Sequence, residues 1–515
     1  MFSGTIPSGN EGALALQRKC GTPQGSDYRV SVFVTYEIVW NLSTRCSWRR
    51  WSRVLVVRKR CPPGFLACEK ILPTEFLRCR LRDIGEELPV GKSDVTNVAT
   101  CTEIKKATPS AVTVTEGFVA RKRRKILMGL FETKYLSASQ LKGFDSYKYS
   151  CVDTSPISKY ISHPFWNWLV TFYPRTWAPN VLTLLGWSLV MACFLVESVL
   201  DYDLTANSVG SEQPIPDWFW MFAAICTWLG YTLDGTDGKQ ARRIGASGPT
   251  GELFDHGLDS WSTVPFTITI FSVFGRGEYS VSPIHLLSVL ISVQIVFIVT
   301  HWEKYNTGIL FLSWGYDASQ YTLVFVYLFT YFVGYKWYKF YVFGEVTLAV
   351  VFEATFYFCC VGSLIMSAYN MWYSYAVENT FKQPSIYEAS RPIIPSFILF
   401  AISLAWAAYS PTDVCGKDPR IFFFAMGTVF SNIACRLIIA QMSNHRCEVM
   451  NLLLAVYASS AGFSFFMPSM ELIILRLMCL LVVVAHVHYG VCVVRQLCAH
   501  FKIHALDVSY LQKRP

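Results

Sequence analysis

The chain reads as an all-α polytopic membrane protein, about ten transmembrane helices preceded by interfacial amphipathic helices, and three observations predict this. Of its 515 residues, 52% are hydrophobic and only 16% charged, where a soluble globular chain carries about 25% charge. Ten apolar runs of spanning or near-spanning length follow one another between residues 181 and 495. The formal charge of +9 lies entirely upstream of them: residues 1–127 hold 22 Lys+Arg against 11 Asp+Glu, and the other 388 hold 23 against 25. Such a composition excludes a disordered chain, a secreted disulfide scaffold and an ordinary soluble enzyme. No two of the 17 cysteines stand at CxxC spacing, so they read as small buried hydrophobes rather than a zinc or disulfide framework.

Residues 1–127 read as a basic, disordered N-terminal extension. They show no charged n-region followed by an apolar h-region at Met1, hence no signal peptide. Basic clusters stand at Arg49–Arg60 and at Arg121–Lys125 (RKRRK). Such runs can meet nucleic acid or anionic lipid, but without periodicity a solvated tail is the expectation, and no nucleic-acid partner is assigned. The Asn41-Leu42-Ser43 sequon falls in the same stretch and carries no weight on the cytosolic side.

Residues 128–178 form the next segment. Polar residues alternate with Phe144, Tyr147, Tyr149, Tyr160, Phe165, Trp166 and Trp168. That pattern suits a helix or two lying in the membrane interface with rings at headgroup depth. The transmembrane domain follows over 179–500. Its spans are expected at about 181–200, 216–233, 260–275, 283–301, 321–337, 340–367, 393–410, 420–440, 447–467 and 471–495, with a cytosolic tail at 501–515. Lys159 and Arg175 precede the first span and Lys239, Arg242 and Arg243 follow the second, while 201–215 holds no Lys or Arg. The positive-inside rule then turns the N-terminus and the 234–259 region to the cytosol.

The chemistry concentrates in residues 231–260, YTLDGTDGKQARRIGASGPTGELFDHGLDS. Asp234 and Asp237 are three apart, Asp255 and Asp259 four apart, so on helices each pair shares a face. Four carboxylates converging in a low-dielectric region repel and are costly to desolvate. Divalent cations resolve both problems, and oxygen-only ligation suits Mg²⁺ or Mn²⁺ bridging to phosphate oxygens. Gly235 and Gly238 would let a ligand approach the backbone, and Arg242 offers a forked donor to a phosphate. Histidine is the only side-chain type in this segment whose unperturbed pKa lies near neutrality, which makes His256 the candidate base. It could instead orient a carboxylate, with Glu252 or Asp259 as the base.

These residues match D-x2-D-G-x2-A-R-x8-G-x3-D-x3-D at every fixed position: Asp234, Asp237, Gly238, Ala241, Arg242, Gly251, Asp255 and Asp259. On that motif the chain resembles the CDP-alcohol phosphotransferases (class-I family). Its stretches SPISKYISHPFWNW, APNVLT, GELFDHGLDSW and HWEKYNTGILFLSWGYD extend the likeness from about Tyr135 onward. Within the family they resemble the eukaryotic choline/ethanolamine phosphotransferase branch, and there the ethanolaminephosphotransferases. The resemblance implies a homodimeric enzyme of the endoplasmic reticulum membrane, or alternatively the Golgi, with its site facing the cytosol. It implies transfer of phosphoethanolamine from CDP-ethanolamine to diacylglycerol, a Kennedy-pathway step releasing phosphatidylethanolamine and CMP. Use of CDP-choline, or of both head groups, is the alternative. It further implies that Asp234, Asp237, Asp255 and Asp259 hold two divalent cations. Arg242, Gly238, Ala241, Glu252 and Asn180 would contact the CDP-alcohol, and His256 would accept the diacylglycerol proton. Asn180 could equally cap the first span.

A prenyltransferase would need a second Asp-rich motif, and none follows Asp259. A transporter would be expected to show internal duplication, and the apolar runs show none. Elsewhere, Glu197, Glu345, Glu353 and Arg436 are expected to face the bundle or to snorkel, and His486 and His488 to be packed or hydrogen-bonded.

Overall fold

The computed structural model describes residues 55–57, 70–72, 129, 131–312 and 314–513. Contacts divide the chain into two units, Met1–Ala107 and Thr108–Pro515. In the first, β1 (Leu55–Val57) pairs antiparallel with β2 (Lys70–Leu72), Leu55 opposite Leu72. The expected disordered tail, both basic clusters and the sequon otherwise lie outside the described residues.

In the second unit, the segment before the first span is built from short pieces rather than long amphipathic helices. α1 (Ala138–Gly143) opens on a full capping box between Ser137 and Gln140. β3 (Cys151–Asp153) follows, then a π-helical turn at Ser158–Ser162 and α2 (His163–Leu169). Pro156, Pro164 and Pro174 explain the fragmentation, since proline starts a helix readily but restricts the residue before it. β3 pairs in parallel with β4 (Leu310–Leu312), tying this segment to the chain after the fourth long helix.

Among the described residues, ten helices of fifteen residues or more stand at the ten apolar runs: α3 (Pro179–Leu200), α4 (Asp217–Ile244), α5 (Pro249–Phe271), α6 (Pro283–Thr307), α7 (Trp314–Val333), α8 (Leu348–Tyr373), α9 (Ile394–Tyr409), α10 (Pro419–Met442), α11 (Leu452–Phe466) and α12 (Glu471–Phe501). Five of them (α3, α6, α8, α10 and α12) are long and apolar enough to cross a membrane. The chain is thus a mostly helical, multi-pass membrane protein.

Two boundaries differ from expectation in a way that matters. The second run was expected to end at 233, but α4 continues to Ile244, and the third helix begins at Pro249 rather than near 260. The motif lowers hydropathy without breaking backbone hydrogen bonding. Arg242 and Arg243 complement the helix dipole in the last turn, and Gly245, at φ +74°, closes it. The reversal between the two helices is therefore only four residues long.

α10 is the axis of the bundle. It packs on α5, α6, α9, α11 and α12, and Phe422, Phe423, Met426, Val429, Phe430 and Leu437 are fully buried. α4 packs on α3 and α7, and α5 on α3 and α10. Outward faces are apolar: Phe358, Val361, Ile365 and Tyr369 form an exposed stripe on α8, Leu477, Leu480, Leu481 and Val484 another on α12. In a lipid-embedded molecule such stripes need no protein partner.

Candidate active site

The short reversal at 245–248 sets the last third of α4 beside the first turns of α5. One carboxylate oxygen each from Asp234, Asp237 and Asp255 gathers within 4.8 Å. Asp237 accepts a hydrogen bond from the Thr183 hydroxyl of α3. Asp234 Oδ2 accepts one from the Tyr316 hydroxyl of α7 at 3.1 Å. Asp255 Oδ1 is buried with no hydrogen-bond partner. A buried, unpartnered carboxylate oxygen facing two more carboxylates fits a hard divalent cation, which removes the repulsion and completes the oxygen's coordination. Asp259 stands one turn further along α5, outside this group of three, its Oδ2 3.8 Å from His256 Nδ1.

His256 is largely enclosed and lies edge-on to His301 of α6, ring centroids 5.1 Å apart. Arg242 is exposed, and its guanidinium folds back so that a Cβ at Gly238 would lie 3.5 Å from Nη1. Ala241 is half-buried one residue before it. Asn180 does not cap α3. Ala178 holds the N-cap position, while Asn180 Nδ2 donates to the Ala505 carbonyl at 3.0 Å, and its Oδ1 faces Gly251. The helix begins at proline, so the cap falls two residues earlier than an Asn-cap reading would put it.

Glu252 is held by protein groups. Its carboxylate is ion-paired with Lys304 of α6 and accepts from the Tyr147 hydroxyl at 2.9 and 2.7 Å. Burial, and then the Glu252 charge, push the Tyr147 phenol well above its ordinary pKa, so it stays a donor.

Gly235 serves packing rather than ligand approach. A Cβ there would come within 2.4 Å of the Trp166 ring of α2, which closes over α4 and meets Tyr231 edge-on. Arg243 holds the same region, its guanidinium donating to the carbonyls of Val170, Thr171 and Tyr173. Beneath it, Tyr231 donates to Asp317 Oδ1 at 2.5 Å and meets Ser162 at 2.9 Å.

Thr183, Tyr316 and Asp317 escaped the sequence reading as site residues. Thr183 ends APNVLT and Tyr316–Asp317 ends SWGYD, but both meet α4 across distant sequence, and nothing local distinguishes them from ordinary helix residues. His486, by contrast, is buried and bonded to Ser431 and Asn432 as expected. So are Glu197, fully buried against Arg420, and Glu353, buried against His285. Arg436 reaches Glu448 at 2.9 Å.

The bundle thus brings aspartates from the two halves of one motif to one point, a donor set that fits a divalent cation. The chain belongs to the CDP-alcohol phosphatidyltransferase family: that family's profile matches residues 176–353. It is 46% identical to ethanolaminephosphotransferase 1 of Homo sapiens over 73% of this chain and 95% of that protein. The corresponding protein of Mus musculus aligns with the same identity and coverage. Cholinephosphotransferase 1 of Homo sapiens is 30% identical over 60% of this chain and 73% of that protein.

Proposed function

We propose that the chain is an ethanolaminephosphotransferase, transferring phosphoethanolamine from CDP-ethanolamine to the hydroxyl of diacylglycerol. The observation that carries the reaction class is the convergence of Asp234, Asp237 and Asp255, whose Oδ1 is buried without a partner, at one point. The likeness to the human ethanolaminephosphotransferase, closer than that to the human cholinephosphotransferase, favours the head group.

Asp234, Asp237, Asp255 and Asp259 would hold two divalent cations, Mg²⁺ or Mn²⁺. When bound, these supply Lewis-acid polarisation of the diphosphate and neutralise its charge. Thr183 and Tyr316 fix the rotamers of Asp237 and Asp234 through their hydroxyls, so the ligands are oriented before substrate arrives. Arg242, exposed beside Gly238, binds the CDP phosphates. Asn180 supports that end of the site from the start of α3. His256 takes the diacylglycerol proton, with Asp259 Oδ2 3.8 Å from its Nδ1. The diacylglycerol oxygen bonds to the phosphorus bearing ethanolamine as that phosphorus loses its bond to the oxygen leaving with CMP. The protein mostly positions groups and balances charge.

The same reading takes all ten long helices as spans, 179–500 as the catalytic domain and the chain as a homodimer. The site then faces the cytosol from the endoplasmic reticulum or Golgi membrane, with one substrate arriving from lipid and the other from water. Microsomes expressing the chain, given diacylglycerol and labelled CDP-ethanolamine or CDP-choline with Mg²⁺ or Mn²⁺, test it. Label in phosphatidylethanolamine, absent from Asp255→Ala, is expected; equal label in phosphatidylcholine would move the assignment to a dual head-group enzyme.

A further inference from the structure

Beside the carboxylate cluster lies a second constellation that its chemistry does not use. The Lys304 ammonium, 1% exposed, sits 4.8 Å from the ring centroid of Tyr149 and 5.6 Å from that of Tyr147, and is ion-paired with Glu252. Two aromatic faces and a carboxylate are the chemistry that recognises an ammonium. Here the ammonium is the protein's own. Tyr149 is half-exposed, so the cage opens outward. Glu252 and Asp255 are three residues apart on α5 and share a face, about 4.5 Å apart along the helix axis. A two-carbon arm attached to a phosphate at the aspartates therefore reaches toward the cage.

We propose that Lys304 is the head-group selector: by filling the Tyr147–Tyr149–Glu252 cage, it admits a primary ammonium and turns away a quaternary one. The inference rests on the ethanolaminephosphotransferase reading and names the discriminating residue of that same site. Lys304 bonds Glu252 through Oε1. Oε2, which already accepts from Tyr147, keeps a further lone pair. A primary ammonium carries N–H donors that can use that oxygen without entering the cage. A trimethylammonium has no N–H. It can be held only by charge and by aromatic faces, and Lys304 has already neutralised the one and covered the other. Discrimination thus comes from an obstruction built against the wrong ligand.

The test uses the full-length protein in detergent with diacylglycerol. kcat/KM is measured for CDP-ethanolamine and CDP-choline in the wild type, in Lys304→Ala and in Lys304→Arg. Vacating the cage is expected to raise the choline-to-ethanolamine ratio at least about 10-fold, because the quaternary ammonium can then supply the missing charge. CDP-choline should also raise the thermal midpoint of Lys304→Ala more than CDP-ethanolamine does. Lys304→Arg, which keeps the cage filled and charged, should keep the wild-type ratio. Should Lys304→Ala not fold, the Lys304→Ala/Glu252→Gln double variant removes both charges together and should raise the ratio in the same direction. An unchanged ratio in a folded variant, with wild-type ethanolamine transfer intact, overturns the proposal alone. A wild type that uses CDP-choline as well as CDP-ethanolamine also overturns it. A wild type that transfers neither head group overturns the proposal together with the reading beneath it.

Discussion

Asp237 and Asp234 are each held by a different neighbour, and those neighbours give the residue-scale predictions. Thr183 contributes one hydroxyl to Asp237. Removing it as Thr183→Val keeps the shape of the side chain and frees the carboxylate to rotate. Groups that orient metal ligands typically account for about 10–100-fold in metal affinity or activity. Thr183→Val is thus expected to raise the Mg²⁺ or Mn²⁺ concentration for half-maximal transfer by about 10-fold, read from activity against metal. Tyr316→Phe removes the corresponding bond to Asp234 at 3.1 Å and should shift the same curve in the same direction. A shift in maximal rate alone, at unchanged metal demand, would count against both assignments.

At the scale of elements, the short helix α2 is docked on α4 by two contacts that can be tested apart. Arg243 donates to three carbonyls at and after the end of α2, where a helix has unsatisfied acceptors. Hydrogen bonds to a charged group contribute about 1.5–3 kcal/mol, so Arg243→Ala should lower the thermal midpoint in detergent by a corresponding amount. Gly235 marks the other contact. Its backbone lies against Trp166, and a larger residue must displace the ring. Overpacking of this kind costs about 1–3 kcal/mol. Gly235→Val should destabilise, while Gly235→Val with Trp166→Ala should be more stable than the separate effects add to, because the collision is removed. Additivity in that cycle would show that Trp166 does not occupy the space.

For the whole molecule, the far end of the bundle is closed by Arg420. It is almost completely buried at the start of α10 and reaches back to α3. It pairs with Glu197 at 2.9 Å and donates to the Asp201 and Tyr202 carbonyls. Breaking a buried pair by removing one partner leaves an uncompensated charge and costs about 3–5 kcal/mol. Arg420→Met is expected to lose yield and thermal stability by that order, with the kcat of surviving folded protein unchanged. The catalytic motif lies at the opposite end of the α3–α4 pair from this contact. A chain of residues 128–515 should keep full specific activity, since every assigned site residue lies at 147 or beyond; loss of activity in that folded fragment would assign residues 1–127 a part in the reaction.

Much of this was legible without coordinates, for a physical reason. Membrane helices announce themselves because apolar length is set by bilayer thickness, and all ten runs carry helices. The four aspartates, Gly238, Ala241 and Arg242 were legible because they cluster in one local segment at helical spacing. The strand pair β3–β4 and the fragmented start of the domain were not, since three-residue strands have no period to read. Nor was the end of α4: the motif lowers apolar content, and the helix runs through Gly235 and Gly238 to end only at Gly245. The sequence by itself determined the family, the places of the ten long helices and the segment that carries the aspartates. Tertiary structure alone decided the rest: Gly235 serves Trp166, Asp259 stands apart from the other three, Thr183 and Tyr316 hydrogen-bond Asp237 and Asp234, and Lys304 lies between Tyr147, Tyr149 and Glu252. Those contacts join residues tens of positions apart, and only the packing of α2, α3 and α7 on α4 and of α6 on α5 brings them within reach.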